Sequence, residues 1–213
     1  MVSIFVYGAG GHGKVIVDTI RNAQVRCVVM HVIDDDVRLH GRQLLGFPIR
    51  GADAIGLERG LIAIGNNVFR LRIASRYPGR LATLVHRTAT LGQDVPLGEG
   101  SVLMAGAIVN VGSTIGANVI INTAATVDHD CVIGDGVHLA PGCHLCGDVQ
   151  VGEGSLLGVG TLVVPGVRIG KHAFIHAGQT VTRDVSDGET VRGSREHPAR
   201  RMAEASGVST HGA

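Results

Sequence analysis

From Val85 to Val181 an aliphatic residue returns at every sixth position. The register is Val85, Leu91, Leu97, Leu103, Val109, Ile115, Ile121, Val127, Ile133, Leu139, Leu145, Val151, Leu157, Val163, Ile169, Ile175 and Val181. Neither the helical period of 3.6 nor the strand period of 2 produces such a run. Four residues after most of these positions stands a small or β-branched residue, among them Ser101, Ala107, Ser113, Val119, Ala125, Cys131, Cys143, Ser155, Thr161 and Ala173. Glycine often follows the aliphatic directly, as at Gly92, Gly116, Gly134, Gly152 and Gly170. A short fixed period is the signature of a solenoid. The pattern predicts a parallel β-helix in which each hexapeptide forms one flat face. The aliphatic and the small residue point inward, and the glycine relieves the corner. Three faces close one coil, so the segment holds roughly five coils.

Before the repeats the pattern changes. Ser3 to Tyr7 is a buried-strand run, followed by the glycine-rich stretch Gly8 to Gly13 and a helical stretch from Lys14 to Asn22. Arg26 to Ile33 and Leu61 to Ile64 read as further strands, and Val68 to Arg76 as a second helix. This alternation predicts a βαβ-type unit with a parallel sheet. The expected division is residues 1–80 for the α/β unit and 81–202 for the repeats. Residues 203–213 are small and polar, a composition that predicts a disordered tail.

Composition narrows the function. Net charge is +1 with no basic stripe, and aromatics are few, so nucleic acid is not an expected partner. The uncharged stretch from Ser101 to Val127 is long enough to suggest a membrane span. Its scattered Asn and Thr residues and the unbroken six-residue period argue against that. Met1-Val2-Ser3 leads straight into a strand without a leader-like run, so the cytoplasm is the expected compartment. Cys143 and Cys146 form a lone Cys-x-x-Cys, and a zinc knuckle needs a second pair. Cys131 and Cys143 fall in the small inward slot and read as buried small hydrophobes.

The loop Gly8-Ala9-Gly10-Gly11-His12-Gly13 fits the pattern Gly-x-Gly-x-x-Gly, and Asp34 lies where a ribose-binding acid is expected. Glycines let the backbone approach phosphate, and a helix N-terminus offers free N–H groups. Only one mononucleotide half fits before the repeats, so the expected ligand is a nucleotide diphosphate, as in a nucleotide-linked sugar. A tight strand-to-helix turn without ligand would share the pattern. His12 at the helix start favours a ligand, because it adds a donor for phosphate or sugar oxygens.

His129 is the candidate base. It sits in Val127-Asp128-His129-Asp130-Cys131, in a mid-face, non-core slot, between two carboxylates that would orient the ring and raise its basicity. His138 follows half a coil later. An exposed histidine on a solvated coil edge is the bland alternative. His138, His144, His172 and His176 also invite a metal reading, in which histidines from two subunits hold zinc, as in γ-class carbonic anhydrases. That reading leaves the glycine loop unexplained. Serine and colanic-type acetyltransferases share the repeat architecture without a front domain.

The chain resembles the bacterial sugar acetyltransferases that join a small Rossmann-like domain to a left-handed hexapeptide-repeat β-helix. These comprise the bacillosamine and perosamine nucleotide-sugar N-acetyltransferases and the sialic acid O-acetyltransferase branch. The residues that carry the resemblance are Tyr7-Gly8-Ala9-Gly10-Gly11-His12-Gly13, Ile33-Asp34-Asp35, Ile62 to Asn67, Asn122-Thr123, Val127 to Gly134, Leu157-Gly158-Val159-Gly160 and Val164-Pro165-Gly166. The resemblance implies an acetyl-CoA-dependent N-acetyltransferase acting on a nucleotide-linked amino sugar of the 4-amino-4,6-dideoxy type. Sugar O-acetylation is the alternative within the family. It implies His129 as general base with Asp130 tuning it, and His138, Gly147, Val159 and Ala177 as acetyl-CoA-binding residues. It implies Gly10, Gly11, His12, Asp34, Asp35 and Gly65 as nucleotide-sugar-binding residues. It further implies a homotrimer with active sites between chains, acetyl-CoA as co-substrate and no metal. The chain departs from the family at its C-terminal end, where Ser194-Arg195-Glu196-His197 stands before Pro198, and Ala177 stands where glycine is common.

Overall fold

The computed structural model describes residues 2–193. The Ser194–His197 departure, the expected end of the repeat domain at Met202 and the tail 203–213 lie outside the described residues.

The front unit is a five-stranded sheet. β1 (Val2–Tyr7) runs parallel to β2 (Cys27–Ile33) on one side and to β5 (Arg59–Ile62) on the other. β2 is parallel to β4 (Phe47–Arg50), which forms an antiparallel hairpin with β3 (Gln43–Leu44). The sequence reading contains no β3 or β4. Their turn places Leu45 and Gly46 at φ 50° and 88°, and leucine gives no signal for a left-handed conformation. Helix α1 (Gly11–Arg21) begins three residues before its expected start, so the glycine loop itself forms the first helical turn. Helix α2 (Asn67–Ala74) is capped by Asn66, whose side chain accepts from the Phe69 N–H at 3.0 Å.

From Leu84 onward the chain winds into the β-helix. Its strands are two residues long and form three parallel sheets. The first face stacks Leu84–Val85, Val102–Leu103, Ile120–Ile121, His138–Leu139, Leu156–Leu157, Phe174–Ile175 and Thr190–Val191. The second stacks Thr90–Leu91, Ile108–Val109, Thr126–Val127, His144–Leu145, Leu162–Val163 and Thr180–Val181. The third stacks Thr114–Ile115, Val132–Ile133, Gln150–Val151 and Arg168–Ile169. Register residues from Leu103 to Val181 are 3% exposed or less, as the six-residue period requires. Val85, Leu91 and Leu97, at the open end of the stack, are only partly buried.

Two points of the repeat differ from the sequence reading. The glycine after the aliphatic does not relieve the corner. A Cβ there would strike the backbone of the next coil, at 2.8 Å for Gly134, 2.6 Å for Gly152 and 2.5 Å for Gly158. The corner is turned two residues later, by a left-handed residue at every sixth position: Asp94, Gly100, Gly106, Gly112, Asn118, Ala124, Asp130, Gly136, Gly142, Asp148, Gly154, Gly160, Gly166, His172 and Gly178 all have positive φ. Secondly, His129 is not mid-face. Strands of two residues leave four for each corner, and His129 lies in the corner between Thr126–Val127 and Val132–Ile133.

The front unit docks on the first face. Ile16, Val17 and Ile20 of α1 and Val6 and Val32 of the sheet share one apolar core with Leu84, Val102, Met104 and Ile120 of the β-helix.

Candidate active site

Gly10, Gly11, His12, Asp34, Asp35 and Gly65 line a single cavity of about 380 Å³, together with Tyr7, Gly8, Ala63 and Ile64. Parallel strands β1, β2 and β5 end here, which is where an open α/β sheet binds its ligands. Gly8 (φ 117°) and Gly13 carry the loop: a Cβ at Gly8 would lie 2.7 Å from the Ala63 carbonyl oxygen. Asp34 acts as the loop's staple. Its Oδ2 accepts from the Ala9 N–H at 2.8 Å and its Oδ1 from the Asp36 N–H at 2.9 Å. Asp35 accepts from the Tyr7 hydroxyl at 2.5 Å. Burial, then that hydrogen bond, raises the Tyr7 pKa above its ordinary value, so the phenol stays a donor.

His138 stands at the edge of this cavity rather than apart from it. Its Nδ1 lies 3.3 Å from the Gly65 carbonyl, and its ring centroid is 6.2 Å from that of His12. Asn122 fixes the tautomer. Its Oδ1 accepts from the Thr123 N–H at 2.8 Å, so its Nδ2 donates to His138 Nε2 at 3.1 Å. His138 Nδ1–H therefore donates to Gly65. Burial, then the Arg70 cation, lowers the pKa of His138 to about 4, and the same two causes lower His12 to about 4. Both rings are neutral near pH 7.

His129 is the opposite case. Its side chain is 59% exposed, and Nδ1 lies 2.8 Å from Asp130 Oδ2. Asp128 Oδ1 accepts from the His129 N–H at 2.8 Å and is itself held by Asn110 Nδ2 at 2.8 Å. The hydrogen bond to Asp130, then the charge of Asp128, raises the His129 pKa above 6.5. With Nδ1–H on Asp130, Nε2 keeps its lone pair, the arrangement of a general base. Gly147 lies one coil on, beneath this ring.

The four residues assigned to acetyl-CoA are distributed over the β-helix. His138 is on the first face, and Gly147 is at the corner between the second and third faces with His129. Val159 and Ala177 share the corner between the first and second faces, where the Gly178 N–H donates to the Val159 carbonyl. Among the described residues no three His, Cys, Asp or Glu side chains cluster as a metal site. Cys143 is buried with its thiol turned to the carbonyls of Leu157 and Gly158, while Cys146 is exposed. A larger groove of about 500 Å³ runs along Gly134, Gly152 and Gly170 on the third face and contains none of the sequence-predicted site residues.

Comparison with known proteins decides the family. Residues 3–77 match the PglD N-terminal domain, and residues 112–147 and 130–163 match the bacterial transferase hexapeptide (six repeats). The acetyltransferase domain of PglB from Neisseria gonorrhoeae FA1090 is 35% identical. The match covers 92% of this chain and 98% of that one, with a TM-score of 0.83. The chain belongs to the bacterial nucleotide-sugar acetyltransferase family. Another member, PerB from Caulobacter crescentus, solved in complex with CoA and GDP-perosamine, is 36% identical, with 92% and 96% coverage and a TM-score of 0.83. The N. gonorrhoeae domain has also been solved in complex with acetyl coenzyme A. Among curated members, the UDP-N-acetylbacillosamine N-acetyltransferase of Bacillus subtilis is 37% identical over 49% of this chain. That alignment spans about half, 52%, of the B. subtilis protein. The GDP-perosamine N-acetyltransferase of Escherichia coli O157:H7 is 29% identical over 76% of this chain and 78% of its own. Within this family framework, the sequence reading gives no role to Arg70, Asn67 or Asn122, and quotes the last only among the residues that carry the resemblance, as it does Asn67. The pair Asn67 and Arg70, three residues apart on one helical face, was the available signal for the first two.

Proposed function

We propose that the chain transfers the acetyl group of acetyl-CoA to the amino group of a nucleotide-linked 4-amino-4,6-dideoxy sugar. The cavity at the ends of β1, β2 and β5 takes the nucleotide diphosphate, with Gly10, Gly11 and His12 at the N-terminus of α1 facing phosphate. His129 is the base. Its Nε2 accepts the proton as the amine nitrogen attacks the thioester carbonyl carbon. The tetrahedral intermediate then expels CoA thiolate, which takes the proton from His129. The Gly147 N–H is the proposed oxyanion donor, a role typically worth about 3–4 kcal/mol. Holding both substrates together supplies much of the remaining rate.

One observation carries this reading. The nucleotide cavity, with His138 at its edge, lies on the first face, while His129 and Gly147 lie at the corner between the other two faces. A whole face separates them along the coil. The base of one chain therefore serves the cavity of another, and the proposed unit is a homotrimer with acetyl-CoA between Gly147 of one chain and Val159 and Ala177 of its neighbour. Among the described residues no helix is long and apolar enough to cross a membrane. The proposed compartment is the cytoplasm, where acetyl-CoA and nucleotide sugars are made.

The test is release of CoA thiol from acetyl-CoA against a panel of UDP-, GDP- and dTDP-linked 4-amino sugars, with the matching 4-hydroxy sugars as controls. Turnover is expected with an amino sugar. Turnover with the hydroxy sugars alone would replace the reading by O-acetylation, and no thiol release with any of them would overturn it.

A further inference from the structure

Arg70 is one of the most completely buried side chains in the molecule, at 1% exposure. An arginine so placed normally faces a carboxylate, because an uncompensated buried charge is costly. Among the described residues Arg70 has no carboxylate partner. Its guanidinium donates instead to four backbone carbonyls: Nε to Asn118 at 3.1 Å, Nη2 to Gly136 at 2.7 Å, and Nη1 to Ile64 at 3.1 Å and Gly65 at 3.4 Å. Two of these carbonyls belong to the β-helix and two to the wall of the nucleotide cavity. Asn67, one turn earlier on α2, donates to the carbonyls of Gly154 and Ser155 at 2.9 and 3.1 Å.

The spacing is regular. Asn118, Gly136 and Gly154 occupy the same left-handed corner position on three successive coils. Helix α2 is thus tied along one edge of the β-helix, with Leu71 packed over Gly136, where a Cβ would lie 2.7 Å from its side chain. Arg70 also governs the polarity of the cavity wall. In a trans peptide the carbonyl and the following N–H point in opposite directions. With the carbonyls of Ile64 and Gly65 turned onto Arg70, the N–H groups of Gly65 and Asn66 point away from it. Gly65 is itself part of the cavity lining.

We propose that Arg70 is a positioning residue of the transfer reaction, joining the Ile64–Gly65 wall of the nucleotide cavity to the coils that carry His138. This rests on the nucleotide-sugar reading above. Its role is to set the height at which the front domain presents the sugar amine along the β-helix, and to hold the Gly65 and Asn66 N–H groups ready for an anion. Its charge has a second effect. After burial, the larger cause, it lowers the pKa of both His12 and His138, the two rings flanking the same wall.

Arg70→Lys and Arg70→Met separate this role from plain support of the fold. Lysine keeps the charge but lacks the planar fork that reaches four carbonyls. In Arg70→Lys the KM for the nucleotide sugar is expected to rise tenfold or more, while the KM for acetyl-CoA stays within twofold. Equal changes in both KM values, or wild-type kinetics, would overturn the proposal. A second measurement needs no substrate: the histidine ring signals of the full-length protein are followed by NMR against pH. In Arg70→Met, at temperatures below its melting transition, the His12 and His138 midpoints are expected to move up from about 4. Unmoved midpoints in a folded Met variant would remove the electrostatic part whatever the substrate proves to be. Shifted midpoints with no activity on any nucleotide amino sugar would leave Arg70's place intact and sink the functional reading instead.

Discussion

Gly147 lies directly against the imidazole of His129: a Cβ at 147 would stand 2.6 Å from Cε1 and 2.7 Å from Nε2. The glycine gives the ring room to lie against the next coil with its Nδ1 on Asp130. Gly147 is not at positive φ, so its backbone tolerates alanine, and the three nearest contacts of a substituent are all with the His129 ring. Gly147→Ala is therefore expected to lower kcat tenfold or more while the melting temperature moves by only a few degrees. A kcat at the wild-type level would show that the ring does not need this space.

His129→Ala is expected to reduce kcat by about 10²–10⁴-fold, the usual contribution of a general base. Acetyl-CoA binding should survive, and isothermal titration would check it. Should His138→Ala lose activity while His129→Ala retains it, the base has been assigned to the wrong histidine.

Asp130 is expected to set the pH at which the proposed base works. Its hydrogen bond is the first cause of the raised His129 pKa. Activity requires the unprotonated ring, so the rate falls as pH drops through that raised value. Asp130→Asn removes the charge, and the acid limb of the kcat profile should move to lower pH with a smaller loss of rate than His129→Ala. An unmoved limb would detach Asp130 from the titration.

His12 and His138 make stability depend on pH in the same direction as activity, although their pKa values are shifted the opposite way from that of His129. Each has a folded pKa near 4, against about 6.5 in the unfolded chain. Between those values the unfolded chain holds more protons, so stability is fully present above about pH 6.5 and declines as pH falls towards 4. The expected loss is on the order of a few kcal/mol, read as a falling melting temperature from pH 7 to pH 4.5. His138→Gln should flatten the slope. A slope identical to wild type would argue that the ring is not held neutral.

Chains defective in different halves of the site should rescue one another. His129→Ala mixed with His12→Ala by refolding or co-expression is expected to regain activity, because a cavity from one chain meets a base from the other. Light scattering should show a trimer in each case. A fully active monomer, or mixed trimers with no recovery, would place the whole site within one chain.

Sequence alone determined the β-helix, because its signal is repetitive. A side chain that must fill a narrow interior every six residues leaves a mark that no single substitution hides, and Leu139, fully buried between Ile121 and Leu157, is where that mark led. The glycine loop and Asp34 were legible for a similar reason, since close backbone approach demands particular residue types at fixed spacing, and both line the cavity. His129 was legible as the candidate base through its neighbours Asp128 and Asp130, and the structure places Asp130 on its ring. The hairpin of β3 and β4 was not, because its turn puts leucine in a conformation that leucine does not announce. Nor was the role of Arg70. Its four partners are backbone carbonyls, which every residue possesses, and they lie up to 66 residues away in the chain. Which histidine has its pKa lowered and which has it raised likewise depends on the tertiary structure. His138 and His129 differ in what surrounds them, burial and a cation for one, water and a carboxylate for the other, and surroundings of that kind are assembled only when distant coils meet.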